Sequence, residues 1–176
     1  MMRIIVELQK THAPHCYMTC KKWLEMYGFH LTDLGHVGIS DKFYFDKITP
    51  CDIVVYGTSQ KVKTDDIILY AHFLNEHNLS FIHLKMKRMS ADGTVDAESD
   101  IQKHLTVPRN NIIGKVLRVI PFNDPEWHEI VMEMVNIPWL EDKLHKAIKH
   151  YSNPKHSDME KVNEINRRLQ ILGKIP

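Results

Sequence analysis

Residues 11–20, THAPHCYMTC, bring His12, His15, Cys16 and Cys20 within ten positions of one another. Imidazole nitrogen and thiolate sulfur are ligands that a tetrahedral zinc ion takes. The spacing H-x2-H-C-x3-C departs from the common structural zinc patterns, and no second cluster completes a ribbon. A strand, a cysteine pair and a helix in that order also make a redox site, but that chemistry uses C-x-x-C where this chain has C-x-x-x-C. Cys16, at the start of an expected helix, would have its thiolate favoured. The residues fit best a strand-to-helix loop that contacts a ligand. Thr11 and His12 would touch it, His12 or His15 would act as general base, and no metal or cofactor is expected.

A second stretch, GTSQKVKTDD from residue 57, carries the chemistry of an anion site. Gly57 lets backbone approach closely, Thr58 and Ser59 supply hydroxyls, and Lys61 supplies charge. An expected helix from Thr64 or Asp65 would add unpaired N–H groups. The stretch lacks the second glycine and the GK[ST] element of a P-loop, and it is not GxGxxG. The tripeptide HLT occurs at 30–32 and again at 104–106. Paired H-x-[ST] resembles the signature of the 2H phosphoesterases, which implies two histidines working as acid and base on a phosphodiester. Only the second copy continues with an apolar residue. His83 sits inside an apolar run, as a core histidine would. The final helix carries Lys161, Arg167, Arg168 and Lys174 opposite its apolar stripe, a face read as solvated.

These residues need elements to position them. RIIVEL (3–8), FHLTDLG (29–35), CDIVVYG (51–57), LSFIHLKM (79–86) and NIIGKVLRVIPF (111–122) read as strands. Helical spacing is expected over 15–27, closed by Gly28, and over 65–77, where Ile68, Tyr70, Ala71, Phe73 and Leu74 form an apolar side. SADGTVDAESD (90–100) reads as an exposed loop turning at Asp92-Gly93. Three helices complete the chain. The first opens at Asp124-Pro125 and the second at Pro138. The third has Ser157 as cap, with Glu160 reaching back. Strands alternating with helices predict a Rossmann-like three-layer α/β domain over 1–122, with a mostly parallel sheet of about four or five strands, and a C-terminal helical extension over 123–176.

Of the 176 residues, 43% are hydrophobic and 26% charged, as in an ordinary globular protein. Lys plus Arg is 23 against 22 Asp plus Glu, which gives no general pull toward nucleic acid or anionic membrane. No apolar run is long enough for a membrane span and no signal segment is expected. Three cysteines fit a reducing, cytoplasmic setting, and twelve histidines allow metal affinity or pH response without requiring either.

MRIIVELQ, then a helix ending at GFHLTDLG, then PCDIVVYGTS, resembles the amino-terminal half of GT-B glycosyltransferases over about the first 90 residues. The resemblance implies a Rossmann-like lobe and group transfer. Ligands of such a sheet bind beyond the carboxyl ends of its strands. The expected function is therefore binding of a nucleotide or other phosphorylated small molecule by Thr11, Gly57, Thr58, Ser59 and Lys61, with group transfer or hydrolysis through His12 or His15. The alternative is a non-enzymatic interaction or regulatory module that holds a protein partner through its C-terminal helices, where Trp127, Trp139 and methionines gather.

Overall fold

The computed structural model describes residues 25, 27–57, 61–75, 78–174 and 176. Eight strands and three helices appear among them. The strands are β1 His30–Thr32, β2 Gly35–Ile39, β3 Ile53–Gly57, β4 Ile67–Asn75, β5 Asn78–Met89, β6 Thr94–Glu98, β7 Leu105–Pro108 and β8 Ile112–Ile120. The helices are α1 Pro125–Glu133, α2 Pro138–Tyr151 and α3 Met159–Ile171. The strands form one sheet in the order β1-β2-β3-β8-β4-β5-β6-β7. Its described pairings are antiparallel. The mostly parallel Rossmann-like sheet is therefore incorrect. The parallel strand tips at which a nucleotide pocket was expected are absent among the described residues, and so is the Rossmann-like lobe implied by the GT-B resemblance.

Residues 67–75 mark where that expectation fails. They form β4, hydrogen-bonded to β5 in the register Ile68↔Leu84 and Tyr70↔Ile82. Ile67, Ile68, Leu69, Tyr70 and Ala71 are all buried. A strand covered on both faces has a continuous apolar run, which periodicity cannot tell from a helix. Asp65 does not cap a helix. Its φ is +70°, its N–H donates to the Met86 carbonyl, and the Met86 N–H donates back to the Asp66 carbonyl. Residues 94–98, expected in a loop, form β6. Val95 and Ala97 alternate inward, small enough to be overlooked among polar neighbours.

The chain divides into two compact units. One holds Val55–Arg118; the other holds Gly28–Val54 with Val119–Pro176. In the first, here the β unit, one apolar cluster joins Ile68 and Tyr70 of β4, Leu84 and Met86 of β5, Val95 and Ala97 of β6, Val107 of β7 and Ile112 of β8. Every strand of β8-β4-β5-β6-β7 contributes to that cluster, and the three-residue link from β7 to β8 across four strand intervals requires this part of the sheet to curl. On the opposite face Tyr56 Oη lies 2.7 Å from His83 Nε2, though β8 and β4 intervene between their strands. The cross-strand row Gly114, Leu69, His83 has no side chain at its β8 position, which leaves room for that reach.

In the second unit, here the helical unit, β1 and β2 form a hairpin. Thr32 Oγ1 donates to the Gly35 carbonyl, and Gly35 takes φ +111°. The helices stand where the sequence places them. Asp124 caps α1 by accepting the Glu126 N–H at 2.9 Å, and proline begins both α1 and α2. The cap of α3 is Asp158, whose carboxylate accepts the Lys161 N–H, and not the expected Ser157. The apolar stripes Trp127/Ile130/Val131, Leu140/Leu144/Ala147 and Val162/Ile165/Leu169 are buried.

Polar pins tie these helices to residues 49–52. Trp127 Nε1 donates to the Cys51 carbonyl at 2.6 Å, and Tyr151 Oη donates to the Pro50 carbonyl at 3.0 Å. Buried Asp52 accepts from the Thr49 N–H and hydroxyl and from the Phe122 N–H. The Arg168 guanidinium lies over the rings of Phe122 and Trp127, 3.9 and 4.7 Å from their centres, and donates to the Phe122 carbonyl. Glu164 accepts from both Arg167 and Arg168.

The helical unit can be tested in two ways. Truncation before residue 157 removes Val162, Ile165, Leu169 and the Arg168 lid at once. It should abolish amide-exchange protection across 119–151 and not merely release a tail. The Arg167 and Arg168 hydrogen bonds lower the Glu164 carboxyl from its ordinary 4.5 to about 2. A lowered folded-state pKa stabilises above the unfolded value and loses that contribution as pH falls from 4.5 through about 2. Glu164→Gln should therefore be less stable at neutral pH, and its thermal midpoint should fall less steeply with acid than that of the parent.

Candidate functional site

The polar side of the curled sheet forms an open groove of about 570 Å³, lined by Lys87, Arg88, Asp96, Ala97, Glu98, Lys103, His104, Leu105 and Thr106. Register explains its charge. Lys85 pairs with Glu98 and Met86 with Ala97, but Arg88 and not Lys87 pairs with Asp96. One extra residue therefore sits in β5 as a β-bulge, and two residues oppose one. Strict alternation from Lys85 would turn Arg88 toward the apolar interior and Met89 outward. The bulge instead leaves Lys87 and Arg88 both exposed and lets Met89 pack against the interior cluster.

The carboxylates in the groove are already engaged. Glu98 lies 3.2 Å from Lys87 and 3.7 Å from Lys85, and Asp96 lies 3.2 Å from Arg88. Thr106 Oγ1 also donates to Asp96. Pairs this exposed contribute about 0–1 kcal/mol each. They fix side-chain position more than they stabilise the fold. Lys103 and His104 are exposed at the entrance to β7, and neither has an ion-pair partner among the described residues. The groove thus holds acids that are already paired and one ammonium, Lys103, that is in no ion pair among the described residues.

Of the residues expected to carry the site, Gly57 and Lys61 are described. Thr11, His12, His15, Cys16, Cys20, Thr58 and Ser59 lie outside the described residues. Gly57 ends β3, and from residue 61 the chain turns into β4 without forming a helix. The anion cradle loses the helix N-terminus it depended on. A Cβ at Gly57 would stand 2.5 Å from Leu117 Cδ1, so this glycine serves close packing against β8. Lys61 lends its backbone: its carbonyl accepts from Lys115 Nζ at 2.7 Å, and that ammonium also meets Asp66. Of the two HLT tripeptides, His30 is buried in β1 of the helical unit, and His104 is exposed in the β unit's groove.

Other reactive groups are packed away. Cys51 is a free, buried thiol, and burial, with Asp52 beside it, pushes its pKa up, away from reactivity. Tyr56 is buried against His83. Among the described residues no three His, Cys, Asp or Glu side chains gather as a metal ion would need, and no helix is long and apolar enough to cross a membrane. Comparison of the chain with protein-family models, curated proteins and solved structures gives no match.

Sequence reasoning missed Lys87, Arg88, Asp96, Glu98, Lys103 and Thr106. One signal was present: in KMKRM, an arginine occupies a position where alternation calls for an apolar residue. The Gly57 assignment can be measured. Gly57→Val should push Leu117 aside, and because that side chain is 58% exposed the cost should stay below about 1 kcal/mol. In a Leu117→Ala background most of that cost should vanish, a coupling read from a double-mutant cycle in denaturant.

Proposed function

We propose that the chain is a non-catalytic recognition module that binds an acidic protein partner along the groove on β5, β6 and β7. One observation carries the reading. The groove's own carboxylates are paired, while Lys103 and His104 at its mouth are not. A partner with carboxylates gains there without displacing an existing pair. The C-terminal helices are less suited to the interface expected of them. Their stripes are buried within their own unit, leaving only scattered apolar residues such as Met132, Met159 and Ile171 exposed. A cytoplasmic location fits this reading, since the free Cys51 thiol is kept reduced there.

The test is fluorescence anisotropy with three labelled probes at low salt: an Asp/Glu-rich octapeptide, a Lys-rich octapeptide and a single-stranded oligonucleotide. The acidic peptide should bind best and weaken as salt rises. Lys103→Glu should reduce its affinity about tenfold, roughly 1.4 kcal/mol. Preference for the Lys-rich peptide or the oligonucleotide, or indifference to Lys103→Glu, defeats the proposal.

A further inference from the structure

The phase of the β6–β7 ladder is set by one bond beyond its last pair. The Arg109 N–H donates to the Gly93 carbonyl at 3.0 Å, one step past Thr94↔Pro108. Hydrogen-bonded and non-hydrogen-bonded pairs alternate along an antiparallel ladder. Val95/Val107 and Ala97/Leu105 are therefore the bonded pairs, while Thr94/Pro108 and Asp96/Thr106 are not. The backbone N–H and C=O of Thr106 consequently point away from β6. On that same edge Pro108 has no N–H to offer. β7 is the last strand of the sheet order, and Thr106 is exposed. Among the described residues, then, the outer edge of β7 is unpaired and offers one N–H donor, that of Thr106, with its own carbonyl beside it.

The approach to this edge is a built loop. Ser99 Oγ accepts the N–H groups of Ile101 and Gln102, and the Ser99 N–H donates to the Gln102 carbonyl at 2.8 Å. The Gln102 side chain in turn donates to the His104 carbonyl at 2.9 Å. These bonds hold Ile101 98% exposed and place Lys103 and His104 at the entrance to the strand.

We infer that β7 takes a short extended segment of an acidic protein partner as a neighbouring strand, in a register centred on Thr106; this rests on the acidic-partner reading above. One partner residue exchanges both backbone hydrogen bonds with Thr106. Pro108 ends donation on one side, and the occupied His104 carbonyl limits pairing on the other, so the paired segment is about three residues long. The residue opposite Thr106 presents its side chain on the same face as Thr106, which is the groove face. An aspartate or glutamate at that position meets Lys103 or His104. An extended segment suits this edge better than a helix, because a helix has already satisfied its own backbone groups.

The test uses the full chain and capped octapeptides with a single central Glu in a strand-forming background, monitored by anisotropy and by amide exchange. Thr106→Pro removes an N–H that β6 does not use. Its thermal midpoint should stay close to the parent's, and peptide affinity should fall at least about tenfold. Thr106→Val keeps the N–H and loses only the hydroxyl bond to Asp96, so its affinity should fall less than that of Thr106→Pro. The Thr106 amide should exchange rapidly in the free chain and slowly with peptide bound, and N-methylation of the central peptide residue should abolish both binding and protection. Should Thr106→Pro unfold the chain, exchange and the N-methyl peptide decide alone. Peptide binding without Thr106 protection, or unaffected by N-methylation, overturns strand addition and leaves the acidic groove standing. Absence of binding by any acidic peptide overturns both.

Discussion

Three residues, Arg109–Asn111, join the end of β7 to the start of β8, and the β unit is shaped by that shortness. From Pro108 to Ile112 the chain can reach about 14 Å. In the strand order β7 and β8 stand four intervals apart, with β6, β5 and β4 between them, and a flat sheet would separate them by about 19 Å. The five strands must curl. Curling gives the unit an inside, filled by alternate residues of every strand, and an outside left to Lys85, Lys87, Arg88, Asp96, Glu98 and Thr106. The β5 bulge belongs to the same geometry, since an extra residue sharpens local twist and bends the strand that carries it. Groove and curl therefore share one cause. A sheet flat enough to bring parallel strand tips together would have neither.

What could be read in the sequence depends on how local each signal is. The helices α1, α2 and α3 are written in caps and stripes a few residues apart: Asp124 with Pro125, Pro138, and the run Val162, Ile165, Leu169. Even the one-residue displacement of the third cap, from Ser157 to Asp158, concerns neighbours of equal capping ability. β4 could not be read this way. Ile67 to Ala71 are buried whichever way they face, because a strand in mid-sheet is covered twice. The information that makes them a strand lies in partners elsewhere in the chain, the carbonyl of Met86 and residues 82–85. Taking 65–77 as a helix then supplied the α in an imagined βαβ unit, and the parallel sheet came from that one substitution.

The candidate site was less legible than the fold. Chemistry-bearing residue types drew attention to His12, His15 and the cysteines, which lie outside the described residues, and to Gly57 and Lys61, whose described roles are packing and a backbone carbonyl. The groove residues carry no motif. Their significance is a matter of register: Arg88 faces outward only because Lys87 is inserted, and Thr106 exposes its N–H only because the β6–β7 ladder has one phase and not the other. A shift of one residue in either pairing would bury the first or satisfy the second. Sequence inspection finds side chains that can act, whereas here the decisive quantity is which backbone groups are left over.

Cations serve opposite ends in the two units, and the contrast argues for where recognition resides. In the helical unit Arg168 is largely used up: two ring faces lie beneath it, one carbonyl accepts from it, and Glu164 neutralises it. Such a charge is part of the packing, and a ligand could claim it only by loosening the helices it holds. The charges of the β unit are fixed differently. Arg88 and Lys87 are oriented by Asp96 and Glu98 yet remain in contact with water, and Lys103 and His104 are presented by a hydrogen-bonded loop, neither in an ion pair among the described residues. Holding a cation in place without quenching it reduces the entropy a ligand must later give up to meet it. The proposed acidic, extended partner draws on both conditions: cations held in place at the groove and a backbone edge at Thr106 that points away from β6.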